Sequence, residues 1–308
     1  MAGRVVAGWL VVAACRRHLH DLTRADLAWD VAAVRRVVGF FCDVLHLNGG
    51  QFEGEPFRLE PWQTFVIGSL FGWKRLDGTR RYQLAYIEIG KGNGKSPMAA
   101  GTGHYMLLAD GEARAEVYAA ATKKDQAMIL FRDAVAMRDL SPELAARLKK
   151  SGADDKVWNL YDAQSGSFFR PIASEDFGQS GPRPHCALVD EVHEHRNAVV
   201  VDMMRKGFKW RRQPMQVEIT NSGFDRHSIC WQHHEYSIQL LEGFDAPGGI
   251  ANDQWFAYVC TLDPCARCRA AGAKAPISDC ADCDSWRDEV VWPKANPNLG
   301  VSITLDYL

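Results

Sequence analysis

The sequence has no run approaching the ~20 apolar residues that a membrane-spanning helix needs, and it has neither an internal repeat nor a low-complexity linker. A membrane-spanning helix and a repeat architecture are therefore not expected. Charge of one sign is not in excess either: 36 Lys and Arg stand against 38 Asp and Glu, a formal net charge of −2. That excludes a protein that coats nucleic acid by bulk positive charge, so any DNA contact has to be local. The nine cysteines lack the even count and spacing of a secreted disulfide framework. Cys15, Cys42, Cys186, Cys230 and Cys260 are scattered, mostly in apolar surroundings, whereas Cys265, Cys268, Cys280 and Cys283 form two CxxC pairs. This usage points to a reducing compartment, a cytoplasm, and to a bound metal. What is present is ordinary for a globular chain: 308 residues, 47% hydrophobic and 24% charged. That is enough for two domains, or for one large α/β domain with additions.

The first residues need separate treatment. Arg4, the apolar run over residues 5–14 and then Cys15 imitate a bacterial lipoprotein signal ending in Val12-Ala13-Ala14-Cys15. A single positive charge is thin for such a signal. Gly8 also interrupts the run, and Arg16-Arg17-His18 continues directly into Asp21-Leu22-Thr23, so an amphipathic helix is expected. Residues 1–60 read as a helical, peripheral region. Val31, Val34, Val37, Val38, Phe41 and Leu45 recur at helical spacing, and Asn48-Gly49-Gly50 stops that helix.

Within a domain expected over residues 61–262, strand and helix signals alternate over 83–262, which predicts an α/β fold: a mostly parallel sheet flanked by helices. Strands are expected at 84–89, 116–121, 186–189 and 216–220, and helices at 96–108, at 122–137 with Thr122 as cap, and from Ser141-Pro142. The runs 157–161 and 167–171 read as a hairpin or antiparallel edge. Residues 263–308 hold the cysteine pairs and a terminal segment.

The most informative segment is Gly90-Lys91-Gly92-Asn93-Gly94-Lys95-Ser96, between an apolar strand and a helix. Gly90, Gly92 and Gly94 permit close backbone approach to phosphates, Lys95 neutralises their charge, and Ser96 is placed to ligate Mg²⁺ at the helix N-terminus. This resembles a Walker A loop, with Ile89 where the first glycine of the common pattern stands. Ninety-five positions on, Ala187-Leu188-Val189-Asp190-Glu191 is an apolar strand ending in two acids, similar to a Walker B motif. Asp190 suits Mg²⁺, a hard cation bound through few carboxylates, and Glu191 suits the orientation and deprotonation of an attacking water. Upstream, Leu59-Glu60-Pro61-Trp62-Gln63 offers the Gln63 amide, donor and acceptor together, for an adenine edge, with Trp62 to pack beside it. Downstream, Thr220-Asn221-Ser222 puts small polar groups at a strand end, where a γ-phosphate would be felt.

Together these residues resemble the large subunit of a tailed-phage terminase, the ATPase that packages double-stranded DNA into proheads. The resemblance also takes in Asp21-Leu22, Leu70-Phe71-Gly72-Trp73, Arg80-Arg81-Tyr82, Val192-His193, and Trp292 through Asn296-Pro297-Asn298-Leu299-Gly300. It implies an ASCE-type P-loop NTPase fold, with Gln63 as the adenine-sensing Gln, Lys95 and Ser96 as the Walker A pair, and Asp190 and Glu191 as Walker B. Thr220-Asn221-Ser222 falls on the coupling motif, and Lys91 falls where members usually carry a catalytic Arg, whose bidentate fork a Lys does not reproduce. The resemblance further implies ATP and Mg²⁺ as cofactors. The implied partners are double-stranded DNA, a portal protein, a small terminase subunit and further copies of the chain in a ring. Members continue into a two-metal nuclease domain; the sequence stops at Leu308, so no DNA cleavage is expected of this polypeptide. Two alternatives stay open: a non-catalytic prophage remnant or zinc-bearing binding module, and a helicase-like DNA translocase.

The pattern Cys265-x₂-Cys268-x₁₁-Cys280-x₂-Cys283 has zinc-knuckle spacing, four thiolates for a closed structural Zn²⁺ site. It reads as an insertion relative to the family. His193-Glu194-His195 and His233-His234-Glu235 lack the i, i+4 spacing of a catalytic zinc helix, so the first is expected in a loop and the second on a helix surface. Arg205, Lys206, Lys209, Arg211 and Arg212 form the densest basic cluster, read as a solvated helix face, with a phosphate-backbone grip as the alternative.

Overall fold

The computed structural model describes residues 5–152, 156–174, 181–195 and 197–308; Arg4, the charge in the signal-like reading, lies outside them. The N-terminal run forms helix α1 (Trp9–Asp21), followed by β1 (Leu27–Trp29) and α2 (Val31–Gly39), which continues as a π-type turn over Phe40–Val44. Asp30 caps α2 by accepting from the Ala33 N–H. The expectation of a peripheral region is corrected here. Val37, Phe41 and Leu45 are fully buried in the same core as the sheet: α2 packs on α3 (Pro61–Gly72), a helix itself buried over most of its length, and the Phe41 and Leu45 side chains lie against Gly101. Among the described residues no helix is long and apolar enough to cross a membrane.

The centre is an eight-stranded sheet. Its strands in chain order are β3 (Leu84–Glu88), β4 (Glu116–Ala121), β5 (Lys149–Ser151), β6 (Asn159–Asp162), β7 (Ser167–Ala173), β8 (Cys186–Asp190), β9 (Met215–Thr220) and β10 (Trp255–Val259). A further short strand, β2 (Trp73–Arg75), pairs with β1 outside this sheet. The spatial order is β10-β3-β9-β8-β4-β7-β6-β5, parallel from β10 to β7 and antiparallel for β6 and β5. The parallel strands β3, β8, β9 and β10 are buried at every position, as a sheet covered by helices on both faces requires. The expected hairpin exists as β6–β7, but β7 also pairs with β4 and belongs to the parallel core. β10 falls where no strand was expected.

The covering helices are α4 (Lys95–Leu108), α5 (Lys124–Leu140), α6 (Pro142–Arg147), α7 (Val199–Lys206) and α8 (Ile229–Gly243). Thr122 is not the cap of α5: Lys123 occupies the N-cap position, with no side-chain capping bond. Two short helices, α9 (Ala266–Ala270) and α10 (Trp292–Ala295), belong to the C-terminal part.

β9 lies between β3 and β8, so the ends of three neighbouring parallel strands coincide. Glu88 pairs with Thr220, and Asp190 with Ile219. The loops that leave these ends, 89–94, 191–195 and 221–222, are therefore neighbours along the C-terminal edge of the sheet, where open α/β folds bind their ligands.

Candidate active site

The loop after β3 turns through Gly92 and Gly94, both with positive φ (83° and 74°). Gly94 is the N-cap of α4, whose first-turn N–H groups have no intrahelical acceptor and face the loop's concavity. Lys95 opens the helix and is almost fully buried. Its Nζ donates to Ile89 O (2.7 Å), Gly90 O (3.1 Å) and Asn221 Oδ1 (2.6 Å). Burial lowers its pKa, opposed by the nearby Glu191 and Asp190 carboxylates. Ser96 is half-buried in the same turn, and Lys91 is exposed at the loop's tip.

Across the β9 gap, Asp190 is a buried carboxyl whose Oδ1 accepts from the Glu191 N–H (2.9 Å). Burial, then the neighbouring Glu191, push its pKa up to about 7, although Lys95 opposes them. A buried carboxyl held by a backbone N–H, with the Lys95 amine near it, is the donor chemistry that suits a divalent cation. Glu191 has left-handed backbone (φ 47°, ψ 55°), which a residue with a Cβ adopts at some energetic cost, commonly at functional sites. That conformation turns it toward its neighbours: Oε2 lies 3.2 Å from His193 Nδ1 and accepts from Asn221 Nδ2 (3.3 Å). Burial raises the Glu191 pKa, but His193 and Lys95 outweigh it and the net shift is downward. Glu191 is thus held ionised. His193 moves the opposite way, raised chiefly by that hydrogen bond.

Asn221 therefore bridges the two motifs, its amide oxygen on Lys95 and its amide nitrogen on Glu191. Thr220 Oγ1 lies 3.1 Å from both the backbone N and Nδ1 of His193. Ser222 points elsewhere, donating to the buried Glu88 (2.8 Å).

On the other side of the loop a cavity of about 540 Å³ opens, lined among others by Asn48, Phe57, Gln63, Gly94 and Asn298, a size usual for small-ligand sites. Gln63 is buried, with its Oε1 accepting from the Glu60 N–H (2.9 Å) in a capping box. Its amide nitrogen lies beside Gly94. Trp62 does not line this cavity. Its ring stacks at 6.0 Å from Tyr258, and its Nε1 donates to Asn298 Oδ1 (2.5 Å). The Asn93 side chain is likewise committed within the protein, to Gly90 O (2.9 Å) and to the segment after α10.

Sequence reasoning gives no role to four contributors. His193 stands in the resemblance and in a His-x-His pair expected in a loop, without a role at the site. Asn296 and Asn298 stood in the resemblance without a role. Glu88 had no signal beyond its acidic charge inside an apolar strand. The helix-surface reading of His233 and His234 is corrected: both face the sheet, with Nδ1 atoms 2.6 Å from Glu218 and 2.8 Å from Glu88. Buried strand carboxylates need such partners. In the basic cluster Arg211 is drawn in to Glu112 (3.0 Å) and Glu116 (3.4 Å), while Arg205, Lys206, Lys209 and Arg212 stay exposed.

The four cysteine Sγ atoms lie within 4.8 Å of one another, at 3.8 Å for Cys265–Cys280 and 3.6 Å for Cys268–Cys280. A tetrahedron with metal–sulfur bonds of about 2.3 Å has edges of about 3.8 Å. Backbone N–H groups of Cys265 and Cys268 donate to Cys283 Sγ (3.2 Å) and Cys265 Sγ (3.5 Å), which favours thiolates.

The chain is similar to several known proteins. The E. coli K12 protein YmfN is 33% identical over 128 residues, 42% of this chain and 23% of YmfN. The terminase large subunit of Enterobacteria phage HK97 is 25% identical over 166 residues, 52% of this chain and 31% of that protein. The crystal structure of the HK97 large terminase superposes with a TM-score of 0.68 at 18% identity, over 89% of this chain and 49% of that one. That is a likeness of fold. The chain thus spans about half of the solved HK97 terminase, and the matched regions span less than a third of the two curated relatives. A family model described as the terminase large subunit, ATPase domain, matches residues 61–239, more than half of the chain, and the chain belongs to that family.

Proposed function

We propose that this chain is the ATP-hydrolysing motor of a phage terminase and drives double-stranded DNA into a prohead through a portal. The observation that carries the reading is the meeting of Lys95, Asp190, Glu191 and Asn221 at three adjacent strand ends. ATP would place its base in the cavity beside Gln63 and its phosphates against the backbone of Gly90, Gly92, Asn93 and Gly94. Lys95 then exchanges its carbonyl partners for phosphate oxygens. Ser96 and Asp190 would hold Mg²⁺, which when bound neutralises phosphate charge. Glu191 orients the attacking water and takes its proton. Asn221 and Thr220 feel the loss of the γ-phosphate through their contacts with Lys95, Glu191 and His193. Lys91, exposed at the loop's tip, is placed to add charge near the transferring phosphoryl without a guanidinium's fork.

The partners in this reading are double-stranded DNA, the portal, a small terminase subunit and further copies in a ring, working in the bacterial cytoplasm. ATP turnover by the purified chain, measured alone and with DNA and portal, is expected and should rise with DNA. No turnover under any of these conditions would end the motor reading.

Cys265, Cys268, Cys280 and Cys283 are proposed to hold one structural Zn²⁺. Metal analysis by mass spectrometry should find about one equivalent per chain. Less than half an equivalent would remove the zinc.

A further inference from the structure

Residues 294–302 lie across the P-loop as a strap. The Gly90 N–H donates to Ala295 O (3.4 Å), and Asn93 Nδ2 to Asn296 Oδ1 (3.1 Å). Asn298, nearly fully buried, donates its backbone N–H to Asn93 Oδ1 (3.0 Å) and its Nδ2 to Asn93 O (3.2 Å), while its Oδ1 accepts from Trp62. Ser302 Oγ donates to Gly92 O (2.7 Å). One short segment therefore contacts Gly90, Gly92 and Asn93 of the phosphate loop, and also Trp62 next to the base-side Gln63.

The strap's near end is anchored in the cysteine excursion. Lys294 Nζ donates to Asp263 Oδ2 (3.0 Å) and Asp284 Oδ2 (2.7 Å). The two acids are joined to each other, Asp263 N–H to Asp284 Oδ2 (2.7 Å) and Asp284 N–H to Asp263 O (3.0 Å). Asp263 is two residues before Cys265, and Asp284 directly follows Cys283. The cysteine quartet thus closes the turn that holds both acids together. A cavity of about 710 Å³, lined by Gly90, Ser222, Cys280, Cys283 and Trp286 among others, separates the excursion from the loop elsewhere. Lys294 and α10 are accordingly where the excursion reaches the loop through hydrogen bonds.

We propose that metal occupancy of the cysteine quartet and nucleotide occupancy of the P-loop are linked through this strap, with Asn298 as the positioning residue that holds the loop ready for phosphates. The proposal rests on the ATP and zinc readings above. Metal closes the Asp263–Asp284 turn and the turn fixes Lys294. Lys294 sets α10, and Asn296 and Asn298 then hold Asn93. Linkage of this kind is reciprocal: if zinc tightens ATP binding, ATP tightens zinc binding by the same factor.

The test is titration with a fluorescent ATP analogue and Mg²⁺, on zinc-loaded and chelator-stripped protein. Stripping should weaken binding by about fivefold or more, and Asn298→Ala by about tenfold. In Asn298→Ala and Lys294→Ala stripping should add little further, and Asn298→Ala should keep its zinc affinity. The reciprocal measurement needs no variant: saturating ATP should raise the zinc affinity of the unaltered protein against a competing chelator. Nucleotide affinity indifferent to zinc, or zinc affinity indifferent to ATP, overturns the linkage while leaving the ATP reading intact. Failure of the unaltered protein to bind the analogue overturns that reading first, and the linkage with it.

Discussion

Lys95→Ala should weaken ATP binding and slow hydrolysis together, whereas Glu191→Gln should slow hydrolysis and leave binding nearly unchanged. The difference follows from what each side chain touches. Lys95 Nζ holds Ile89 O, Gly90 O and Asn221 Oδ1 in one cluster, so its removal loosens the loop and takes away the cation proposed to face the phosphates. Loss of one such charge-stabilising donor slows turnover by about 10²–10³-fold, with weaker binding in addition. Glu191→Gln keeps the size of the side chain and an oxygen to accept from Asn221, so the geometry survives. It removes the charge that His193 and Lys95 keep in place and with it the proton acceptor, a change of about 10²–10⁴-fold in kcat. Phosphate release and nucleotide titration on both variants separate the effects. Glu191→Gln turning over at the unaltered rate would take the water-activating role away from Glu191.

A second large effect is expected at the opposite end of the sheet, on stability. The Arg80 side chain is fully buried and held in a fork by Asp110, with both contacts at 2.9 Å. His185 Nε2 lies 2.7 Å from the same carboxylate. Asp110→Asn removes the counter-charge and leaves a buried guanidinium, which should lower stability by about 3–5 kcal/mol. Burial alone would raise the Asp110 pKa, but Arg80 and His185 outweigh it and hold the carboxyl well below the usual range. A depressed carboxyl pKa stabilises the fold above the unfolded value of about 4, and that contribution is lost as the pH falls through the folded value. His185, itself lowered mainly by burial, adds in the same direction below about pH 6.5, because its charged form is disfavoured in the folded chain. The contribution of this buried cluster to stability against urea should therefore fall on acidification. In Asp110→Asn the part below pH 4 should flatten. A variant within about 0.5 kcal/mol of the unaltered protein at pH 7 would mean that Arg80 finds another partner.

The phosphate loop, the acidic strand end and the paired cysteines were legible in the sequence because each is a local pattern whose chemistry is written in consecutive residues. The same is true of strands such as β4 and β9, whose apolar runs leave little choice of conformation. His193 was not legible in its present setting. Its partner Glu191 reaches it only because the chain takes a left-handed step directly after Asp190, which no residue type there announces. Asn298 was not legible either, since 205 residues separate it from Asn93. Nor were the partners of Glu88 and Glu218. An acid in an apolar strand predicts that a partner exists, but the pairing with His234 and His233 depends on which face α8 turns to the sheet.

The sequence by itself determined the kinds of chemistry available: a glycine-rich turn with a lysine, two acids after an apolar strand, four thiols at zinc spacing, and a charge balance near neutrality. Tertiary structure decided which of these act on one another. Inserting β9 between β3 and β8 puts Asn221 between Lys95 and Glu191, and folding the C-terminal strap back over the loop joins the cysteine excursion to the phosphate site. The physical reason is range. Turn, capping and ligand-spacing preferences act over a few residues and are visible in order along the chain, whereas burial and hydrogen-bond satisfaction couple residues that only the packed sheet brings within 3 Å of one another.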